Sequence, residues 1–481
     1  MFDGRVQLGV LSPSVKPVFG MACCLLPILT LLVGCACVDP WCETAYTPRC
    51  PSDEYPTAPA FDAKARPGKM PREFQGRTLR LAECIVIALE RNPKTRISWQ
   101  ASRSAAFQVG QRRAAWLPTI DFTATADRSD TIEQRDEDES PNNVATTGFG
   151  VRYLLFDGGL RNAQVSSAES ELLAADFRHN TVLQEVALAV ELAYQERLAA
   201  QALVRVAQEN VRRSQYNLEL AQARHAVGEV ARFDVLAAET EKANADLGLV
   251  RARNAQRITR GQLAEAMGLS VSGEFDIEDL PIEVQPEELA DIELLLAEAA
   301  RIRPELQAAL ALTEARRSDI RAARSECWPK VRGTTTYGFA DETFLDGGQE
   351  WFIGLTVEQP LFAGFARTYR EGGARAEFGV AAAEHENLLR GVELEVWTAY
   401  SQLIEADEAI EAAKKLVASA DEAARAAEGR YRAGAGNIIE LVAAQTAETD
   451  AQVQQVRAVL SRYTAMSQFH RAIGQTLADT N

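Results

Sequence analysis

The chain has 481 residues, a formal net charge of −17 and 7% aromatic residues. So acidic a chain, with no basic face carrying interleaved aromatics, excludes nucleic acid as a partner. Few large side chains and abundant Ala favour long, closely packed helices over a globular core.

The chain opens on Met21 to Val33, MACCLLPILTLLV, an apolar run preceded by Arg5 and Lys16. It is too short to span a bilayer comfortably as a helix and reads as a secretion signal over 1–34. The run ends in Leu32-Val33-Gly34-Cys35, which resembles the lipobox of bacterial lipoproteins, in which the Cys becomes the acylated first residue of the mature chain. An ordinary signal peptide cut elsewhere, with Cys37 as a rival site, is the alternative reading. A disulfide among Cys37, Cys42 and Cys50 is permitted in an oxidising compartment. No histidine lies near them to complete a zinc site. Residues 35–78 are rich in Pro and read as an extended, lipid-anchored tether.

From Leu79 the apolar residues Leu81, Ile85, Ala88 and Leu89 follow helical spacing up to Asn92-Pro93. A second helix, about 94–116, ends before Pro118. The period then falls to 2, with Ile120, Phe122, Ala124 and Ala126 alternating with Asp121, Thr123, Thr125 and Asp127. A polar run, Glu133 to Pro141, leads to a second strand in which Phe149, Val151, Tyr153 and Leu155 share a face. Residues 157–227 contain no Pro and carry seams such as Val182, Val186, Ala189 and Ala193. A helix there would reach roughly 105 Å. It ends in Arg224 to Thr240, RHAVGEVARFDVLAAET, whose Gly228 is read as the bend of a helical hairpin.

That stretch recurs as Arg430 to Thr446, RYRAGAGNIIELVAAQT, with Gly434 at the bend and Asp234 matched by Glu440. The same shift of 206 joins Tyr194 to Tyr400 and Phe156 to Phe362, and a shift of 211 joins Pro93 to Pro304 and Pro118 to Pro329. Two copies of one unit are expected, at 79–268 and 290–474, joined by a linker or collar at 269–289 and followed by a tail at 475–481. The second copy repeats the strands, with Val331, Thr335, Tyr337 and Phe339, then Trp351, Ile353, Leu355 and Val357. Each half thus supplies one hairpin of a length that crosses a hydrocarbon core when tilted. Four strands cannot close a barrel, so strands that span a membrane require several chains. Two chains give eight strands and a filled interior, whereas three give twelve and leave room for a lumen.

The duplicated set of Asn92-Pro93, Trp116-Leu117-Pro118, Leu155-Phe156-Asp157-Gly158-Gly159, Gln359-Pro360-Leu361-Phe362-Ala363-Gly364 and the two tips resembles the TolC-type outer membrane factor family, in its lipoprotein branch serving tripartite efflux. The resemblance spans about 79–474. It implies a mainly α protein with a membrane β-barrel portion: a homotrimer whose twelve-stranded barrel in the outer membrane continues as a periplasmic α-helical tunnel. The implied partners are outer membrane lipid, a periplasmic adaptor that meets the tips at Gly228 and Gly434, and an inner-membrane pump. It also implies a gate held closed by polar links near the glycine turns. Asp234 and Tyr431 match the positions of one such link, and Glu440 matches an acidic position that rings the constriction. The basic partner of some members falls at Gly436, and a second acidic position falls at Ala443.

The residues themselves leave two readings of Asp234 and Glu440. Three copies of Glu440 near a narrow axis would attract cations. Alternatively both carboxylates simply suit the positive end of the return helix. No enzyme and no cofactor is expected: His179, His225, His385 and His470 read as isolated, and no HExxH, Walker loop or serine elbow is present. The competing functions are a type I protein-secretion duct and a non-conducting, lipid-anchored coiled-coil protein. The second gives no reason for two apolar-alternating hairpins.

Overall fold

The computed structural model describes residues 77–129, 142–278, 291–341 and 348–475. Cys35, the other N-terminal cysteines, the tether and most of the expected linker lie outside the described residues. Helix α1 (Leu81–Arg91) starts where Glu83 accepts a hydrogen bond from the Arg80 backbone N–H at 2.9 Å. It stops at Asn92, whose side chain caps α2 (Pro93–Ala114) by accepting from the Lys94 N–H at 2.9 Å, with Pro in the first turn. The strands β2 (Thr119–Ser129) and β3 (Asn142–Phe156) follow, then α3 (Leu160–Ala226) and α4 (Arg232–Ala266). The second half repeats the order as α5 (Ile292–Ile302), α6 (Pro304–Ser325), β5 (Lys330–Asp341), β6 (Gly348–Glu358), α7 (Ala366–Arg432) and α8 (Ile438–Ala472). Helices α3 and α7 have 67 residues each, which is about 100 Å of helix.

The two hairpins join into one antiparallel sheet in the order β2-β3-β5-β6, because β3 also pairs with β5. Below the sheet, α3 is the central rod of the chain and packs on α2, α4, α6 and α8. Helix α7 packs on α6 and α8 only along much of its length. The expected seam of α3 is shifted in part: Val186, Ala187, Val190 and Tyr194 are buried, whereas Ala189 faces outward.

The start of the expected linker, residues 269–278, is fastened to the core of the first half through Leu269 and Ile277. Short strands β1 (Thr78–Leu79) and β4 (Asp276–Ile277) pair in parallel, and Leu269 and Ile277 pack with Ile87, Val190, Tyr194, Leu263 and Met267. The Tyr194 hydroxyl fastens this strap by donating to the Glu278 carbonyl at 2.6 Å, with the Leu79 carbonyl at 3.2 Å. The second half has its own core around Val392, Val396, Leu403 and Phe469. One joint is built differently in the two copies. Asn92 Nδ2 donates to the Ala266 carbonyl at 2.9 Å, and its counterpart Arg303 donates to the Ala472 carbonyl at 3.3 Å while also holding Glu395 at 2.6 Å.

Candidate functional site: the sheet faces and the helical tips

Register decides what each face of the sheet presents, since residues directly opposite one another share a face. Ile120, Val151, Thr335 and Ile353 form one row, and Phe122, Phe149, Tyr337 and Trp351 form the next. The second row is aromatic on all four strands. Tyr153, Leu355, Phe339 and Val357 belong to the same face. The alternating apolar residues Ile120, Phe122, Tyr153, Phe339 and Leu355 therefore lie together on one face. Asp121, Thr123 and Arg152 occupy the opposite face, where Arg152 Nη2 donates to Asp121 at 2.5 Å and Thr125 and Thr146 bond across strands. Phe352 breaks the pattern by falling on this polar face, where its ring lies over Gly354. At the helical end of the sheet Trp116 and Trp328 are exposed, and the Arg161 guanidinium sits 4.1 Å over the Trp116 ring. Aromatics thus mark the helical-end rim of the apolar band, as in membrane barrels. Strands β2 and β6 each have an unpaired edge among the described residues. Among the described residues, no helix is long and apolar enough to cross a membrane.

At the other end of the molecule each helical hairpin turns on a glycine in the left-handed region, Gly228 (φ 81°) and Gly434 (φ 72°). Asn437 caps α8 by accepting from the Glu440 N–H at 2.8 Å. Tyr431 is 1% exposed and packs with Ile438, Leu441, Leu220 and Ala237, so it is the apolar centre of the contact between the two hairpins of the chain. Arg224 covers it: Nη1 donates to the Tyr431 carbonyl at 2.7 Å, the guanidinium lies 5.0 Å over the ring, and Nε reaches Glu229 at 3.1 Å. The Tyr431 hydroxyl is buried and meets only the Arg224 side chain, at the margin of hydrogen bonding. Burial raises its pKa, the Arg224 charge opposes that rise, and the Asp234 charge adds to it. Asp234 stands in the first turn of α4. Glu440 is half-exposed in the first turn of α8, 3.4 Å from Arg430.

Sequence reasoning left Arg224 out of the gate, although its recurrence as Arg430 was the available signal. It also missed a ladder above the tips, where Asn217 Nδ2 donates to Gln445 at 2.5 Å, Arg213 pairs with Glu448, and Arg432 donates to the Tyr216 hydroxyl at 3.0 Å. Of the four histidines, His179 is not isolated: its Nδ1 lies 2.8 Å from the Ser98 hydroxyl across the α2–α3 contact.

A sheet with one apolar and one polar face, carried on helical rods about 100 Å long, defines a channel subunit of an outer membrane. Two stretches of the chain, 84–269 and 295–475, match the family model described as outer membrane efflux protein. The chain is 28% identical over 402 residues to Protein CyaE of Bordetella pertussis, covering 82% of this chain and 84% of that one. It is 26% identical to the pyoverdine export outer membrane protein OpmQ of Pseudomonas putida, covering 78% and 82%. Its fold is similar to the outer membrane protein VceC of Vibrio cholerae, with a TM-score of 0.72, 20% identity and coverage of 82% and 96%. The chain belongs to the outer membrane efflux protein family. It is an outer membrane channel component of a tripartite efflux system, working as a homotrimer with a periplasmic adaptor and an inner-membrane pump.

Proposed function

We propose that three chains join their sheets edge to edge, β6 of one against β2 of the next, and so close a twelve-stranded barrel continued by a tunnel of helices. Small molecules or ions pass through it from the adaptor and pump to the exterior, with no catalytic step. The observation that carries this reading is the incomplete surroundings of the second half. Helix α3 finds α6 and α8 in its own chain, but α7 lacks the corresponding neighbours. Ala174 on α3 is therefore 0% exposed, while its counterpart Val380 on α7 is 57% exposed. A further copy of α2 and α4, supplied by the next chain, fills both places. A cargo of small molecules is favoured by the relative named for pyoverdine export.

In this reading Tyr431 and Asp234 belong to the fastening of the two hairpins at each tip, Glu440 lines the constriction, and the turns at Gly228 and Gly434 face the adaptor. Cys35 carries the lipid anchor. Native mass spectrometry in detergent is expected to give a trimer whose intact mass includes the lipid adduct on Cys35. A stable monomer would refute the barrel, and an unmodified terminus at another residue would refute the anchor.

A further inference from the structure

One residue on the polar face of the sheet has no part in the barrel's closure or its lipid contact. Phe352 stands in a row with Thr336, Gly150 and Asp121. The rows on either side of it hold only Thr and Gly besides Arg152 and Glu350. In the barrel proposed above, on which the site described below depends, this face lines the bore. A phenyl ring is thus turned toward water among small and charged side chains, and it is 56% exposed. The sheet does not need an aromatic there to hold together. The 206-residue shift pairs Phe352 with Thr146, whose hydroxyl bonds Thr125 across strands in the first half.

The glycines around the ring are arranged to accommodate it. A side chain at Gly354 would collide with Phe352 Cζ and Cε1, so only glycine there lets the ring extend over the strand toward the helical end and present its π surface to the bore. On the other side, Gly338 and Gly148 are bare backbone. Glu350 shares the face with Phe352 because side chains two residues apart on a strand point the same way, about 7 Å apart along it. Among the described residues Glu350 has no ion-pair partner. The other charges of this face toward the helical end are paired, Arg152 with Asp121 and Arg332 with Glu358 at 3.5 Å. An exposed ring, an unpaired carboxylate and a bare wall therefore lie side by side on β6.

We infer that Phe352 and Glu350 form a cargo-binding subsite on the wall of the bore, one in each chain, for planar aromatic cations. The cargo's ring stacks on Phe352 and its positive charge is held by both the ring face and the Glu350 carboxylate. An aliphatic cation gains the charge alone and a neutral aromatic gains the stacking alone, so the pair selects molecules that carry both. The contact is shallow and open to water, which suits a pore, because a bound molecule must also leave. The first half has Thr146 and Val144 at the matching positions, so the subsite belongs to the second half only.

Equilibrium binding of ethidium, a planar aromatic cation, to the full-length protein in detergent tests this, followed by fluorescence anisotropy with empty micelles subtracted. The bore is reached from its outer end, so the tips need not open. Native mass spectrometry is recorded first, because a monomer there would overturn the barrel and this inference with it. Phe352→Thr, which installs the residue of the first half, is expected to weaken ethidium binding about three- to tenfold, and Phe352→Trp to keep it. Glu350→Gln should weaken it at least threefold. Tetraethylammonium, which carries the charge without a ring, should displace ethidium no better than sodium chloride of equal ionic strength. A trimer in which Phe352→Thr and Glu350→Gln both bind ethidium as the parent does, or from which tetraethylammonium displaces it readily, would overturn the subsite and leave the channel intact. Where Phe352→Thr lowers the yield of trimer, Glu350→Gln decides alone.

Discussion

Two buried charged groups carry testable consequences. Burial between α3 and α8 pushes the Glu191 carboxyl up to about 7, partly offset by the Ser467 hydroxyl. The fold therefore prefers the neutral acid. The resulting stabilisation is fully present below the ordinary carboxylate pKa and is lost as pH rises through about 7. Glu191→Gln keeps the hydrogen-bonding shape without the charge. Its melting temperature, followed by circular dichroism, is expected to match the parent at pH 4 and to exceed it increasingly up to pH 8, by about 2–3 kcal/mol in stability. A constant difference across that range would show that Glu191 ionises freely. Arg303 is the opposite case, 2% exposed and held by Glu305, Glu395 and the Ala472 carbonyl. Nearby Arg303 and Arg471 also hold the Glu305 carboxyl below its usual range despite its burial. Arg303→Met leaves Glu305 to Arg471 alone and the Ala472 carbonyl without its donor, and should cost about 1.5–3 kcal/mol. Asn92→Ala, at the equivalent joint of the first half, removes a cap and should cost about 0.5–2 kcal/mol. Equal losses in thermal melts would mean that the two joints bear the same load.

Among the elements, the sheet is the one whose chemistry is fixed by register. A charge in the aromatic row Phe122, Phe149, Tyr337 and Trp351 would sit on the lipid face. Phe122→Arg is expected to weaken assembly by roughly 2–4 kcal/mol if the row lies near the midplane, and by about 0–1 if it lies at the rim. Trimer yield after extraction measures this, with Thr123→Arg on the polar face as the milder control. The strands were legible in the sequence because alternation survives wherever one face is apolar and the other polar. Helix ends were legible because Pro93, Pro304 and the tip glycines punctuate them. The pairing of β3 with β5 was not, since neither alternation nor turn chemistry says which hairpin edges meet. The Phe352 exception was also hidden, because a glycine two residues on gives the ring a place to lie on the polar face. The strap of β4 on β1 escaped for a related reason: two-residue strands carry no period.

At the scale of the whole molecule, the 206-residue shift made the architecture legible, and it is also why the gate was only partly so. A repeat shows which positions correspond but not which partner each one has inside one chain. Asp234, Tyr431 and Glu440 could thus be placed at the tips, while the group that touches Tyr431 most closely, Arg224, drew no attention. The structure separates the contributions. The Tyr431 hydroxyl meets only the Arg224 side chain, at the margin of hydrogen bonding, so Tyr431→Phe removes little from the chain. Arg224→Ala removes the bond to the Tyr431 carbonyl, the stacked guanidinium and the Glu229 pair together. A charge-assisted hydrogen bond of this kind contributes about 1.5–3 kcal/mol, and three symmetry copies would act together on one tip. Single-channel recordings are accordingly expected to show a higher resting open population for Arg224→Ala and almost none of that effect for Tyr431→Phe. Glu440→Gln should lower cation preference without opening the tip, because in the proposed trimer its charge would line the constriction and Asn437 already caps the helix. If Tyr431→Phe alone opens the channel as far as Arg224→Ala does, the hydroxyl must find its partner in the closed trimer. Asp234 would then be that partner, and the lock would be the hydroxyl–carboxylate link implied by the family resemblance.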